Sequence, residues 1–146
     1  MKKPKTGSET FSEAERAAMK ARARELKSER SAKGKRDGET DLLDAVNALP
    51  APSRKMAKRL HEIIKSTAPN LNPKTWYGMT AYADSDGKVV LFFRPAEKFN
   101  ERYLTLGFNE TAKLDDGAMW PVAYALLNLT PTEEKKIAAL VKKAVR

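Results

Sequence analysis

Thr75-Trp-Tyr-Gly-Met-Thr-Ala-Tyr-Ala-Asp-Ser-Asp-Gly-Lys-Val-Val-Leu-Phe-Phe-Arg94 is the stretch that decides the fold class. Its aromatic and β-branched residues suit the half-buried pleat of a sheet. Asp84-Ser-Asp-Gly87 interrupts them with an Asp-Gly pair fitted to the positive φ of a tight hairpin. One strand is therefore expected over Thr75–Ala83 and an antiparallel partner over Lys88–Arg94. By strict alternation Trp76, Gly78, Thr80 and Tyr82 share a face, with Gly78 marking either a bulge or a close approach to the backbone. Two more strands are expected downstream, Tyr103–Phe108 and Met119–Leu129. The latter also reads as a helix opened by Pro121, because Ala and Leu dominate its end, but strand is the preferred reading.

Helices flank this block. Leu42, Leu43, Val46 and Leu49 recur at helical spacing, which predicts a short helix over Asp41–Ala48 stopped by Pro50 and Pro52. A second follows, with Ser53 as its N-cap, Met56, Leu60, Ile63 and Ile64 as its buried stripe, and Pro69 as its end. Arg54, Lys55, Lys58, Arg59 and Lys65 make its other face basic. Thr130-Pro-Thr-Glu133 places N-cap, N1 proline and N3 glutamate in order, so a last helix starts there and packs through Ile137, Leu140, Val141 and Ala144. Upstream, Thr10-Phe-Ser-Glu13 and Ser12-Glu-Ala-Glu15 are overlapping capping boxes for a helix from Glu13 to about Ala32. That helix has high propensity but only Met19 and Leu26 as large apolar residues, so it should lie on the surface or project. Ser31–Gly38 reads as a flexible linker. The expectation is an α+β fold, an antiparallel sheet packed against helices, spanning residues 39–146, with residues 1–38 as a basic helical extension and linker.

Trp76-Tyr-Gly-Met-Thr-Ala-Tyr82, preceded by a helix ending at Pro69 and followed by the Asp-Gly hairpin, resembles the YdhG-like family of bacterial domains of unknown function. The resemblance covers about residues 40–146, including the closing strand and the Thr130-capped helix. Thr80 stands where members usually have proline. The resemblance implies a frataxin-like layered fold and, for some members, a role as an iron chaperone. Frataxin-type iron binding relies on an acidic ridge, because hard cations prefer carboxylate oxygens. Here the matching helix sets Glu62 against five Arg and Lys residues, so no metal ligand and no cofactor is carried over.

The candidate chemistry is sparse. His61 is the one histidine in the chain, and no motif supplies a nucleophile or an acid–base partner, so it reads as a rim histidine and no enzyme is expected. Asp115-Asp116-Gly117 and Asp84-Ser-Asp-Gly87 would jointly suit a cation, but turn chemistry explains both. The expected ligand site is an aromatic-floored basic pocket for a small or acidic ligand, formed by Trp76, Tyr77 and Tyr82 with Arg94, Lys98 and Arg102 from the following loop. Iron is the alternative ligand.

Charge and composition narrow the classes. Residues 1–36 carry 12 Lys and Arg against 5 Asp and Glu, leaving 16 against 14 for the rest of a chain of net charge +9. Basicity thus belongs to the extension, and nucleic-acid binding through phosphates is a third reading, weakened by the lack of interleaved aromatics. There is no cysteine, which excludes disulfides and thiolate metal sites and suits a reducing, cytoplasmic setting. The N-terminal residues show no apolar signal core, and Lys2 stands where myristoylation needs glycine. The longest near-apolar run, Ala118–Leu127, contains Pro121 and is too short to span a bilayer. At 146 residues the chain can build one core without staples, as a monomer or weak homo-oligomer.

Overall fold

The computed structural model describes residues 11–30 and 38–146. The Thr10 capping box and residues 31–37 of the expected linker lie outside them. The second capping box forms: the Glu15 amide donates to Ser12 Oγ at 3.1 Å, and Glu15 Oε1 faces the Ser12 amide at 3.5 Å. It opens α1, Glu13–Arg30. Gly38, expected in the linker, instead starts α2, Gly38–Asn47.

α3 spans Ala51–Thr67, and here the prolines act differently from expectation. Pro50 is the N-cap and Pro52 lies in the first turn, where a missing N–H costs nothing and the fixed φ already suits a helix. They open α3 rather than only closing α2. Ser53 is consequently inside the helix, not its N-cap. It is buried and donates to Glu97 Oε2 at 2.5 Å.

The largest correction concerns the first strand, which is two. β1, Asn72–Trp76, and β2, Met79–Ala83, pair with Trp76 opposite Met79. Between them Tyr77 and Gly78 have φ of 53° and 76°, the two successive left-handed residues of a type I′ hairpin turn. β3 is Val89–Arg94, β4 Leu104–Phe108 and β5 Ala123–Leu126, giving a five-stranded antiparallel sheet in the order β1-β2-β3-β4-β5. The alternative helix after Pro121 is excluded, since Leu126, Ala125 and Tyr124 pair in register with Leu104, Thr105 and Leu106. α4, Pro131–Ala144, starts at Thr130 as its motif predicts, with the Thr130 hydroxyl on the Glu133 carboxylate.

α2, α3 and α4 cover one face. Leu42, Val46, Leu60, Ile64 and Val141 pack against Tyr82, Leu91, Phe93, Leu104 and Leu106 in a single core. α3 is tied to α4 at the surface by Arg59, whose Nε and Nη2 both donate to Glu134 Oε1. α1 lies against the opposite, outer face, over the β1–β2 turn, with Ala18 buried. Among the described residues no helix is long and apolar enough to cross a membrane.

Candidate functional site

The outer face gathers an aromatic strip. Trp76, Met79, Ala81 and Phe92 share it by register. The Trp76 ring meets Tyr77 edge-on at 5.0 Å and Phe92 at 5.3 Å. Phe92 in turn lies flat enough on β4 that a Cβ at Gly107 would stand 2.3 Å from its Cζ.

α1 covers this strip mainly through polar contacts. The Arg22 guanidinium sits 5.7 Å from the centre of the Tyr77 ring. The Gly78 amide points at Glu25 Oε2, 3.4 Å away, while the Gly78 carbonyl accepts from Lys98 Nζ at 2.9 Å. Glu29 accepts from Lys74 at 2.5 Å and lies 3.6 Å from Arg22. Burial raises the Glu25 carboxyl above its ordinary range, against the backbone amides of Gly78 and Tyr77 and the charges of Arg22 and Lys74. Burial likewise lowers the Lys98 ammonium, against the attraction of Glu25. Glu25 Oε1 is buried without a hydrogen-bond partner among the described residues, and Arg22 Nη1 is buried with only its 3.6 Å ion pair to Glu29. Beneath the start of α1 an apolar slot of about 220 Å³ remains, lined by Phe11, Met19, Tyr77, Met79 and Phe99 with Arg94 at its edge.

The structure brings together four of the six expected ligand residues. Trp76, Tyr77, Arg94 and Lys98 belong to this outer face. Their cations are engaged: Lys98 by Gly78, and Arg94 by Glu101 at 2.6 Å and by the Phe99 ring at 4.9 Å. Arg102 is exposed and rests over Tyr103, 5.4 Å from its centroid. Tyr82 does not join them. The turn at Tyr77-Gly78 reverses the alternation, so Tyr82 and Thr80 face the helices while Trp76 faces α1. Gly78 is a turn residue and also a place of close approach, since a Cβ there would stand 2.5 Å from Lys98 Nζ. Arg22, Glu25 and Glu29 were missed. Only their spacing along one helical face hinted that they act together.

On the helix side Tyr82 gives His61 the partner the sequence did not announce. Its hydroxyl lies 2.6 Å from His61 Nδ1, and the two rings stack at 5.8 Å. On the other side His61 Nε2 is 3.6 Å from Glu39 Oε2, while Lys65 Nζ holds both Glu39 oxygens at 2.7 Å. Burial pushes the Tyr82 phenol far above its usual range, so it keeps its proton. The Glu39 carboxylate can only accept, so the neutral ring carries its hydrogen on Nε2, toward Glu39, and Nδ1 accepts from the Tyr82 hydroxyl. Burial also lowers His61 below its ordinary value, partly offset by Glu39. A small cavity of about 170 Å³ beside this cluster is lined by Glu39, Lys65, Asn72, Pro73 and Tyr82.

A cleft of about 570 Å³ lies between α1, the start of α2, β1 and the β2–β3 hairpin, with Glu25, Glu29, Asp41, Lys74, Asp84 and Asp86 on its walls. Its acids serve local structure first. Asp84 Oδ1 accepts from the amides of Asp86 and Lys88 to shape the hairpin, and Glu29 holds Lys74. Asp115 and Asp116 are exposed before Gly117, whose φ is 66°. Among the described residues no group of three His, Asp or Glu side chains is placed to share a metal ion. No family model, no curated protein and no solved structure matches the chain.

Proposed function

We propose that this chain is a non-enzymatic binding module of YdhG-like type whose recognition surface is the outer aromatic face of its sheet, with α1 as a resident cover. The observation that carries the reading is the poor fit of the cover. α1 buries Glu25 Oε1 without a hydrogen-bond partner among the described residues, and Arg22 Nη1 with only a long ion pair to Glu29 at 3.6 Å. Leaving a buried acceptor such as Glu25 Oε1 unsatisfied costs about 1–3 kcal/mol. An incoming ligand that displaces α1 recovers that cost.

The chemistry of the ligand follows from what α1 leaves behind. Lifting it removes Glu25 from Lys98 and Glu29 from Lys74, and uncovers more of the half-buried Trp76 beside the already exposed Tyr77. Two cations flanking aromatic rings suit a small acidic ligand with an apolar or aromatic body. Helices before and after a five-stranded antiparallel sheet, with α2, α3 and α4 on one face, support the frataxin-like layering that the resemblance implies. The iron and nucleic-acid readings draw on no comparable geometric observation.

The test uses the full chain and an anionic naphthalenesulfonate dye. Ala18→Glu places a charge in the buried seam of α1 without touching the helix-side core. The variant should bind the dye several-fold more tightly than the parent chain and blue-shift its emission. Unchanged dye affinity, in a variant whose α1 is cut faster by trypsin, would refute the reading.

A further inference from the structure

We propose that two copies of this chain associate through the outer edge of β5, antiparallel about Tyr124, joining their sheets into one. This rests on a different part of the molecule from the outer-face reading and stands or falls separately.

The edge is open. β5 ends the sheet, and among the described residues no strand pairs with its far side. Gly107 lies opposite Ala123, and the Phe108 amide donates to the Val122 carbonyl at 2.7 Å. In an antiparallel ladder that pattern turns the amides and carbonyls of Val122, Tyr124 and Leu126 toward β4. Those of Ala123 and Ala125 therefore point outward, and both residues are exposed and too small to shield them. A two-fold axis at Tyr124 sets Ala123 opposite Ala125 of the second copy and the reverse, two hydrogen-bonded pairs that satisfy these groups.

The edge is also unguarded. Exposed edge strands are normally protected by charged residues, lysine above all. Residues 117–132 contain no Asp, Glu, Lys or Arg, in a chain with 28 basic and 19 acidic residues. This neutrality favours a second copy as the occupant. Two chains of net charge +9 repel over most approaches, and here they meet through a segment that itself carries no charge. Apolar side chains frame the strand instead, with Met119 88%, Val122 48% and Leu127 67% exposed. The same axis brings Leu126 of one copy opposite Val122 of the other and Leu127 opposite Pro121. The other edge strand is different: α2 backs β1 so closely that a Cβ at Gly38 would stand 2.2 Å from the Pro73 carbonyl oxygen.

Sedimentation velocity of the full-length chain from micromolar to millimolar concentration tests the proposal. The parent chain should pass from monomer to dimer and stop there, because an isologous contact closes on itself. Ala125→Pro deletes one outward amide at an edge position that tolerates proline, and Leu127→Lys supplies the missing guard charge. Each should shift the midpoint of association at least tenfold upward in concentration with unchanged circular dichroism. If one variant fails to fold, the other decides. A parent chain that stays monomeric throughout, association that folded variants do not weaken, or growth beyond the dimer would each overturn the proposal.

Discussion

Replacing Tyr82 with phenylalanine should destabilise the fold by about 1–3 kcal/mol, the cost of leaving a buried acceptor without its donor. The acceptor is His61 Nδ1, 2.6 Å from the Tyr82 hydroxyl, and both residues are buried. The magnitude exceeds that of an exposed hydrogen bond because water does not take the place of the lost phenol. The same pair sets a pH dependence. Protonating His61 requires Nδ1 to become a donor toward a hydroxyl that is itself donating, and it places a charge in a buried site. Glu39 from α2 and Glu62 from α3 favour that charge, whereas Lys65 opposes it, and the net effect is a value below 6.5. Between the folded value and the unfolded one the unfolded chain holds more protons. Stability should therefore fall as pH drops from about 6.5 toward the folded value and level off below it, by about 1.4 kcal/mol per unit of separation. Since His61 is the one histidine in the chain, its NMR signals are unambiguous. Nitrogen shifts should show the Nε2–H tautomer, and urea unfolding of parent and variant at several pH values should show the slope. In Tyr82→Phe the histidine should still titrate below 6.5 and the slope should persist, because burial is the main cause of the depression. A native His61 titrating at or above 6.5, a proton on Nδ1, or a substitution cost under about 0.5 kcal/mol would refute the reasoning.

Gly78→Ala should cost about 1–2 kcal/mol in urea unfolding, because its φ of 76° is disfavoured for any residue with a Cβ. The accompanying 2.5 Å contact with Lys98 Nζ is relieved when that flexible side chain swings away, so Lys98→Met should not rescue the loss. Gly107→Ala should cost about 1–3 kcal/mol by driving its methyl into the Phe92 ring. Near-ultraviolet circular dichroism should change with it as Phe92 shifts against Trp76, and an unaltered spectrum at full stability would contradict the stacking described here.

What could be read from the sequence was what neighbours in sequence determine. The β2–β3 hairpin was legible because Asp84 itself binds the amides of Asp86 and Lys88 within the turn. The start of α4 was legible because Thr130, Pro131 and Glu133 act on one another. The Tyr77-Gly78 turn was not, because its determinants come from elsewhere in the chain. A tyrosine at φ 53° runs against every local preference, and the residues that brace the turn are Lys98 from the loop after β3 and Arg22 and Glu25 from α1. The docking of α1 was equally hidden. Its apolar face is poor, and the polar contacts that seat it have no signature in hydrophobic periodicity.

That one turn also explains why the candidate sites were misassembled. Side chains alternate along a strand with period two, so a continuous strand over Thr75–Ala83 necessarily puts Trp76 and Tyr82 on the same side. A two-residue hairpin turn sets Trp76 beside Met79 instead, and every residue after it changes face. Tyr82 was therefore assigned to the ligand surface with Trp76, when it belongs to the helix side with His61. The same inversion hides the partner of His61, because strict alternation puts the Tyr82 hydroxyl that meets it on the opposite face. The misplacement of Tyr82 and the unseen partner of His61 thus reduce to one point of backbone conformation. It falls at a position where the physical cause, a carbonyl held by Lys98 and an amide facing Glu25, lies 20 and 53 residues away in sequence.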